Sequence, residues 1–309
     1  MRIRIPILLT ALALCSPAIA AAQAPPPDNS DIVVEGMRDR AQRLRNFVRD
    51  LTPSSPLTYN QLARWEVPVC PAAFGLTPAQ RAFVVDRMRM LAKAADVPLA
   101  KPGCDPNVIV IVTSNKAALL AALEQKHPDY FPADWSDRRI HRLERDGDPV
   151  TAWQFEGILS TDGLRIADGT ASDDTVDPAG LVAATTPTVA PASRLRPPGR
   201  HDVLTSILII QTSALKGITT MQFADYAAMR TFVNTDPTKL RASPSETILK
   251  VMDAPMGTAV PLSLTSWDYS FLRAYYASGT ESYANVQRSE IAQRMKRELE
   301  REQGGQPRN

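Results

Sequence analysis

The chain has 309 residues, 44% of them hydrophobic and 6% aromatic, with 26 Pro and 14 Gly. That is enough for one large domain or two small ones and for a packed core, and it excludes collagen-like, coiled-coil and wholly disordered chains. Lys and Arg number 35 against 33 Asp and Glu, a formal charge of +2, so the charge balance points neither to nucleic acid nor to a solvating acidic tail.

The first 24 residues have the three-part layout of a secretory signal peptide. Arg2 and Arg4 give a positive start. An apolar run from Ile5 to Cys15 follows, broken only by Pro6 and Thr10. Pro17-Ala18-Ile19-Ala20 then supplies small residues at the cleavage positions, and Ala20, Ala22 and Ala24 all satisfy the rule. The apolar run is too short for a bilayer, which takes about 20 residues. Lipidation of Cys15 would need a small residue before it, and Leu14 stands there. No later segment is apolar for long enough to span a membrane. The protein is therefore expected in the periplasm or outside the cell.

Removal of the leader leaves Cys70 and Cys104, an even pair in an oxidising compartment. A disulfide between them is expected. The leader also carries the charge excess, since Arg2 and Arg4 account for it.

Residues 25–56 are expected to be a mobile lead. Ile32-Val33-Val34 offers a short edge strand, and Met37, Leu44, Phe47 and Val48 suggest a short amphipathic helix over 37–50. Prolines 53 and 56 break the chain, and the folded domain is expected from Leu57 to residue 280. Thr77-Pro78-Ala79-Gln80 is a helix start, with a cap, a first-turn Pro and a reciprocal Gln. Phe83, Val84, Met88, Leu91 and Ala95 recur after it at helical spacing. NVIVIVT over 107–113 reads as a central strand covered on both faces. Helices are expected over 115–125 and 133–145, and a strand over 150–159.

Residues 168–200 hold five Pro and no aromatic residue, which predicts a long loop. Asp162, Asp168, Asp173, Asp174 and Asp177 fall in or near it, without the spacing of a calcium loop. A second apolar strand, VLTSILIIQT, follows over 203–212. Thr219 with Gln222, Ser243 with Glu246 and Thr265 with Asp268 each open a helix. A charged helix covers roughly residues 284–303, within a C-terminal segment of 281–309. An α/β fold, or an α+β one, is expected: a small mixed sheet with packed helices and a helical C-terminal half.

The helix over Met221–Phe232 follows a buried strand, where a zinc peptidase carries two histidines four residues apart. It has none. The only histidines are His127, His141 and His201, so no paired-histidine zinc site, and no other metal or cofactor, is expected. Gln222, Asp225 and Tyr226 share one face of that helix and are the leading catalytic candidates. The competing reading gives Gln222 to the Thr219 cap and Asp225 to the helix N-terminus. Ser213 and Lys216 match the S-x-x-K pair of penicillin-binding enzymes, without its partner motifs. The last helix carries Ile291, Met295 and Leu299 as a narrow stripe, a candidate contact for a protein partner.

Three stretches, LARWEVPVCP at 62–71, MQFADYAAMRTF at 221–232 and LTSWDYSFLRAYYASG at 264–279, resemble secreted proteins of alphaproteobacteria, sphingomonad-type bacteria especially, to which no activity is assigned. The last is also similar to a proteobacterial lipoprotein-type domain of unknown function. The element order suggests a remote likeness to zinc-peptidase architecture without the metal site. The resemblance implies export and no catalytic residue. An exported binding or structural protein is the leading expectation. A hydrolase working without metal and an inactive zincin-like recognition protein are the alternatives.

Overall fold

The computed structural model describes residues 29–53, 61–132, 135–159, 197, 199–235, 239, 247–255 and 257–303. The expected signal peptide, nearly all of the long loop with its aspartates, and the Ser243–Glu246 helix start lie outside them. The chain divides into two units, Met1–Arg38 and Asp39–Asn309. In the first, the described residues are the opening turns of helix α1, Asn29–Leu51. The edge strand offered by residues 32–34 is helical instead.

The second unit is built on a four-stranded sheet of order β1-β2-β4-β3. Its strands are β1 Pro71–Phe74, β2 Val108–Thr113, β3 Val150–Leu159 and β4 Arg200–Gln211. The first three strands of that order run parallel, and β3 pairs antiparallel with β4 at the edge. The helices are α2 Pro78–Ala94, α3 Lys116–Lys126, α4 Asp137–Arg145, α5 Thr220–Phe232, α6 Ser266–Ala277 and α7 Ala284–Gln303. The fold is thus α/β with a mixed sheet and a helical C-terminal half.

Alternating side chains of β2 and β4 feed two cores. Val108, Val110, Val112, Leu208 and Ile210 point into the larger one, with α2, α5, α6 and α7. Ile207 and Ile209 point the other way, onto Leu120 of α3, Ile140 of α4, Phe131 and Trp153. Burial on both faces explains the continuous β-branched runs.

β1 is a strand that the sequence did not announce. PAAF has no alternation and little β-branching, and it is ordered by pairing with β2. Cys70 and Cys104 are disulfide-bonded, with Cα atoms 6.1 Å apart, and Cys70 directly precedes β1. Asn107 accepts from the Cys70 amide (2.7 Å) and donates to the Pro68 carbonyl (3.0 Å), fixing the same strand ends. At the other end Gly75 turns the chain with φ of +76°, and a Cβ there would stand 1.9 Å from the Val112 carbonyl oxygen. Only glycine permits that turn and that approach.

Two expected boundaries change. The domain does not begin near Leu57. Leu44, Phe47, Val48 and Leu51 of α1 recur every three or four residues and are fully buried in the larger core. Phe47 packs edge-on against Trp267 (5.3 Å) and Phe271 (5.9 Å). The stripe of α7 is not a free surface either. Ile291, Met295 and Leu299 are buried in that core, so the chain itself covers the contact expected for a partner. Arg288 of α7 donates to the Thr52 hydroxyl (2.9 Å) and carbonyl, tying the last helix to the end of the first. Phe83 of α2, expected on the apolar face, is 41% exposed.

Candidate functional site

Helix α5 begins as its sequence predicts. Thr219 accepts from the Gln222 amide (3.1 Å), and the Gln222 side chain accepts in return from the Thr219 amide (2.9 Å). Every residue from Gln222 to Phe232 is buried. The face carrying Gln222, Asp225 and Tyr226 therefore lines no open cleft. Gln222 donates to the Pro261 carbonyl (2.8 Å). Asp225, fully buried, receives a two-pronged ion pair from Arg87 of α2 (2.6 and 3.0 Å), the Ser263 hydroxyl (2.7 Å) and the Leu264 amide (2.8 Å). Four charge-assisted bonds occupy its acceptor positions and join α2, α5 and the approach to α6. Neither reading of Asp225 from sequence included Arg87, which lies 138 residues away. Tyr226 is 2% exposed.

Ser213 lies in a single exposed turn, Thr212–Leu215, and accepts from the Gln211 side chain (3.2 Å). No α-helix carries Ser213 and Lys216 together, and Gly217 turns the chain at φ of +79° just beyond them. The geometry that lets a lysine take the serine proton is missing.

The three stretches that carried the family likeness converge on one another. The Trp65 indole donates to the Thr231 carbonyl (2.9 Å), the Tyr275 hydroxyl to the Ala63 carbonyl (2.6 Å) and the Tyr276 hydroxyl to the Phe232 carbonyl (2.6 Å). The Arg64 guanidinium donates to the carbonyls of Tyr275 (3.1 Å), Tyr276 (3.3 Å) and Ser278, at the C-terminal end of α6 where carbonyls lack an intrahelical amide partner or share one. Burial raises the pKa of both tyrosines, so they remain donors. At the start of α6, Asp268 completes the Thr265 capping box and accepts from Thr247 and the Ile248 amide. Burial raises its pKa, against those hydrogen bonds.

Beside this joint, Arg64 pairs as a parallel bridge with Asp202 of β4, along the edge that β2 leaves open. Asp202 is 1% exposed and pairs with Arg200 (3.0 and 3.2 Å). Burial outweighs the Arg200 pairing and pushes its pKa up to about 6. Burial also pushes neighbouring His201 down to about 4.

A different set of groups meets on the other side of the sheet, where α3 packs on α4. His141 Nδ1 is 3.0 Å from Glu144 Oε2, three residues on, and 3.7 Å from Glu124 Oε2 on α3. A ligand atom of each lies within 4.8 Å of the others, the one such acidic or histidine group of three among the described residues. The Glu144 side chain is 15% exposed, Glu124 23% and His141 49%. The Glu144 hydrogen bond, then the Glu124 charge, raise the His141 pKa, although Arg145 opposes them. These three residues could hold a metal ion. The His-x-x-Glu spacing on one helix face was open to sequence reading. Glu124, on another helix, was not.

No protein-family model, no curated protein and no solved structure matches this chain.

Proposed function

We propose that the protein is exported, loses its leader near Ala20 to Ala24, and acts in the periplasm or outside the cell in a binding or structural role. One observation carries this reading: a leader with charged, apolar and small-residue parts precedes a chain whose two remaining cysteines are joined. No helix among the described residues is long and apolar enough to cross a membrane, which is compatible with it. The non-catalytic part draws support from the chemistry of α5. Asp225 and Gln222 spend their polar atoms on holding helices together, which leaves the non-metal hydrolase alternative without its leading residues.

Fractionation of cells expressing the full chain tests the address. The expected product is in the periplasm or medium, begins between Ala21 and Pro25, and reacts with no thiol reagent until its disulfide is reduced. Full-length protein retained in the cytoplasm with Cys70 and Cys104 both reactive would overturn the proposal.

A further inference from the structure

We propose that Glu124, His141 and Glu144 form a binding site for one divalent transition-metal ion, with zinc the best fit. The inference stands apart from the address above, because it rests on the packing of α3 against α4.

The spacing is close to that of a coordination shell. Zinc holds nitrogen and carboxylate oxygen at about 2.0–2.2 Å, so neighbouring ligand atoms of a tetrahedron stand about 3.3–3.6 Å apart. The imidazole nitrogen here is 3.0 Å from one carboxylate oxygen and 3.7 Å from the other. Small side-chain shifts would bring both onto an ion in place of the present hydrogen bond. The scaffold is fixed, since Asn115 caps α3 (3.0 Å to the Ala118 amide) and Ile140 anchors α4 in the smaller core. Largely buried glutamates have little rotamer freedom left to lose on binding.

A further feature favours a cation. Glu144 Oε1 is buried and has no hydrogen-bond partner, an unmet demand that a cation beside the carboxylate would satisfy. Imidazole in the donor set selects zinc and its neighbours over magnesium and calcium, which prefer all-oxygen shells. The half-exposed histidine leaves one side of the ion to water, giving three protein ligands and an open position.

The test uses untagged, chelator-stripped protein titrated with zinc chloride by calorimetry and with cobalt chloride by visible absorption. One ion per chain is expected, with the intense bands of four-coordinate cobalt. His141→Ala, at an exposed position, should weaken zinc binding at least tenfold and abolish those bands, and Glu124→Gln should weaken it as well. His127→Ala should leave both signals unchanged. Circular dichroism checks that each variant is folded. Absence of stoichiometric binding would overturn the proposal, leaving a histidine–glutamate hydrogen bond only. Binding undiminished in folded His141→Ala would overturn it too, because the ion would then sit elsewhere.

Discussion

Asp202 and His201 are neighbours on β4 whose titrations oppose each other. The native Asp202 carboxyl keeps its proton up to about pH 6, above its ordinary 3.8. Its contribution to stability is full below the ordinary value and is lost as pH rises through 6. Native His201 stays neutral down to about pH 4, below its ordinary 6.5. Its contribution is full above 6.5 and is lost as pH falls toward 4. Between pH 4 and 6 the two slopes largely cancel. Removing one should expose the other. Relative to wild type, His201→Gln should lose stability as pH rises across that window and Asp202→Asn should gain it, each by up to about 1.4 kcal/mol per pH unit. Urea unfolding at several pH values measures this, and variants that run parallel to wild type would refute it. Asp225 offers a second single-residue test. Asp225→Ala leaves the Arg87 guanidinium, 17% exposed, without its carboxylate. The expected cost is about 3–5 kcal/mol, the penalty for stranding one member of a buried pair. Unchanged urea stability would show that Asp225 is not a structural joint between these helices.

Among the elements, α1 matters most for where the folded domain begins. Its pattern of Leu44, Phe47, Val48 and Leu51 gives one apolar face, and the structure lays that face into the core beside α6. The sequence showed that face but not what it packs against, because Pro53 and Pro56 separate the helix from the rest. Phe47→Ala is expected to cost about 3–5 kcal/mol, like other large aromatic truncations in cores. Exposed Arg45→Ala should stay within about 0.5 kcal/mol. Chemical denaturation of the pair distinguishes a docked helix from a dispensable one. The capping boxes, in contrast, were legible in advance. Thr77 with Gln80, Thr219 with Gln222 and Thr265 with Asp268 all form, since a cap is settled within four residues.

For the second unit of the chain, Asp39–Asn309, the disulfide is the longest covalent constraint on folding. It joins residues 34 apart at the entrances to two adjacent parallel strands. Replacing both cysteines with serine should cost about 3–4 kcal/mol, the entropy of freeing a loop of that length. Melting of oxidised and double-variant protein compares the two directly. An indistinguishable midpoint would mean that β1, β2 and the Asn107 bonds hold the strand ends without help. The stretch from Leu62 to Cys70 then links this constraint to the helical half, because Trp65 and Arg64 bind the ends of α5 and α6.

What the sequence determined by itself was local or one-dimensional. Helix starts, the two β-branched strands and the cysteine pair were legible in it, because each is encoded in a short window or a simple count. Tertiary structure decided which of those elements touch. It turned Asp225 from a candidate acid into the partner of Arg87, made a strand of PAAF, and brought Glu124 to His141 and Glu144. Those outcomes depend on contacts between residues far apart in the chain. A side chain's residue type says what it can bind, and packing alone says what stands within 3 to 4 Å of it.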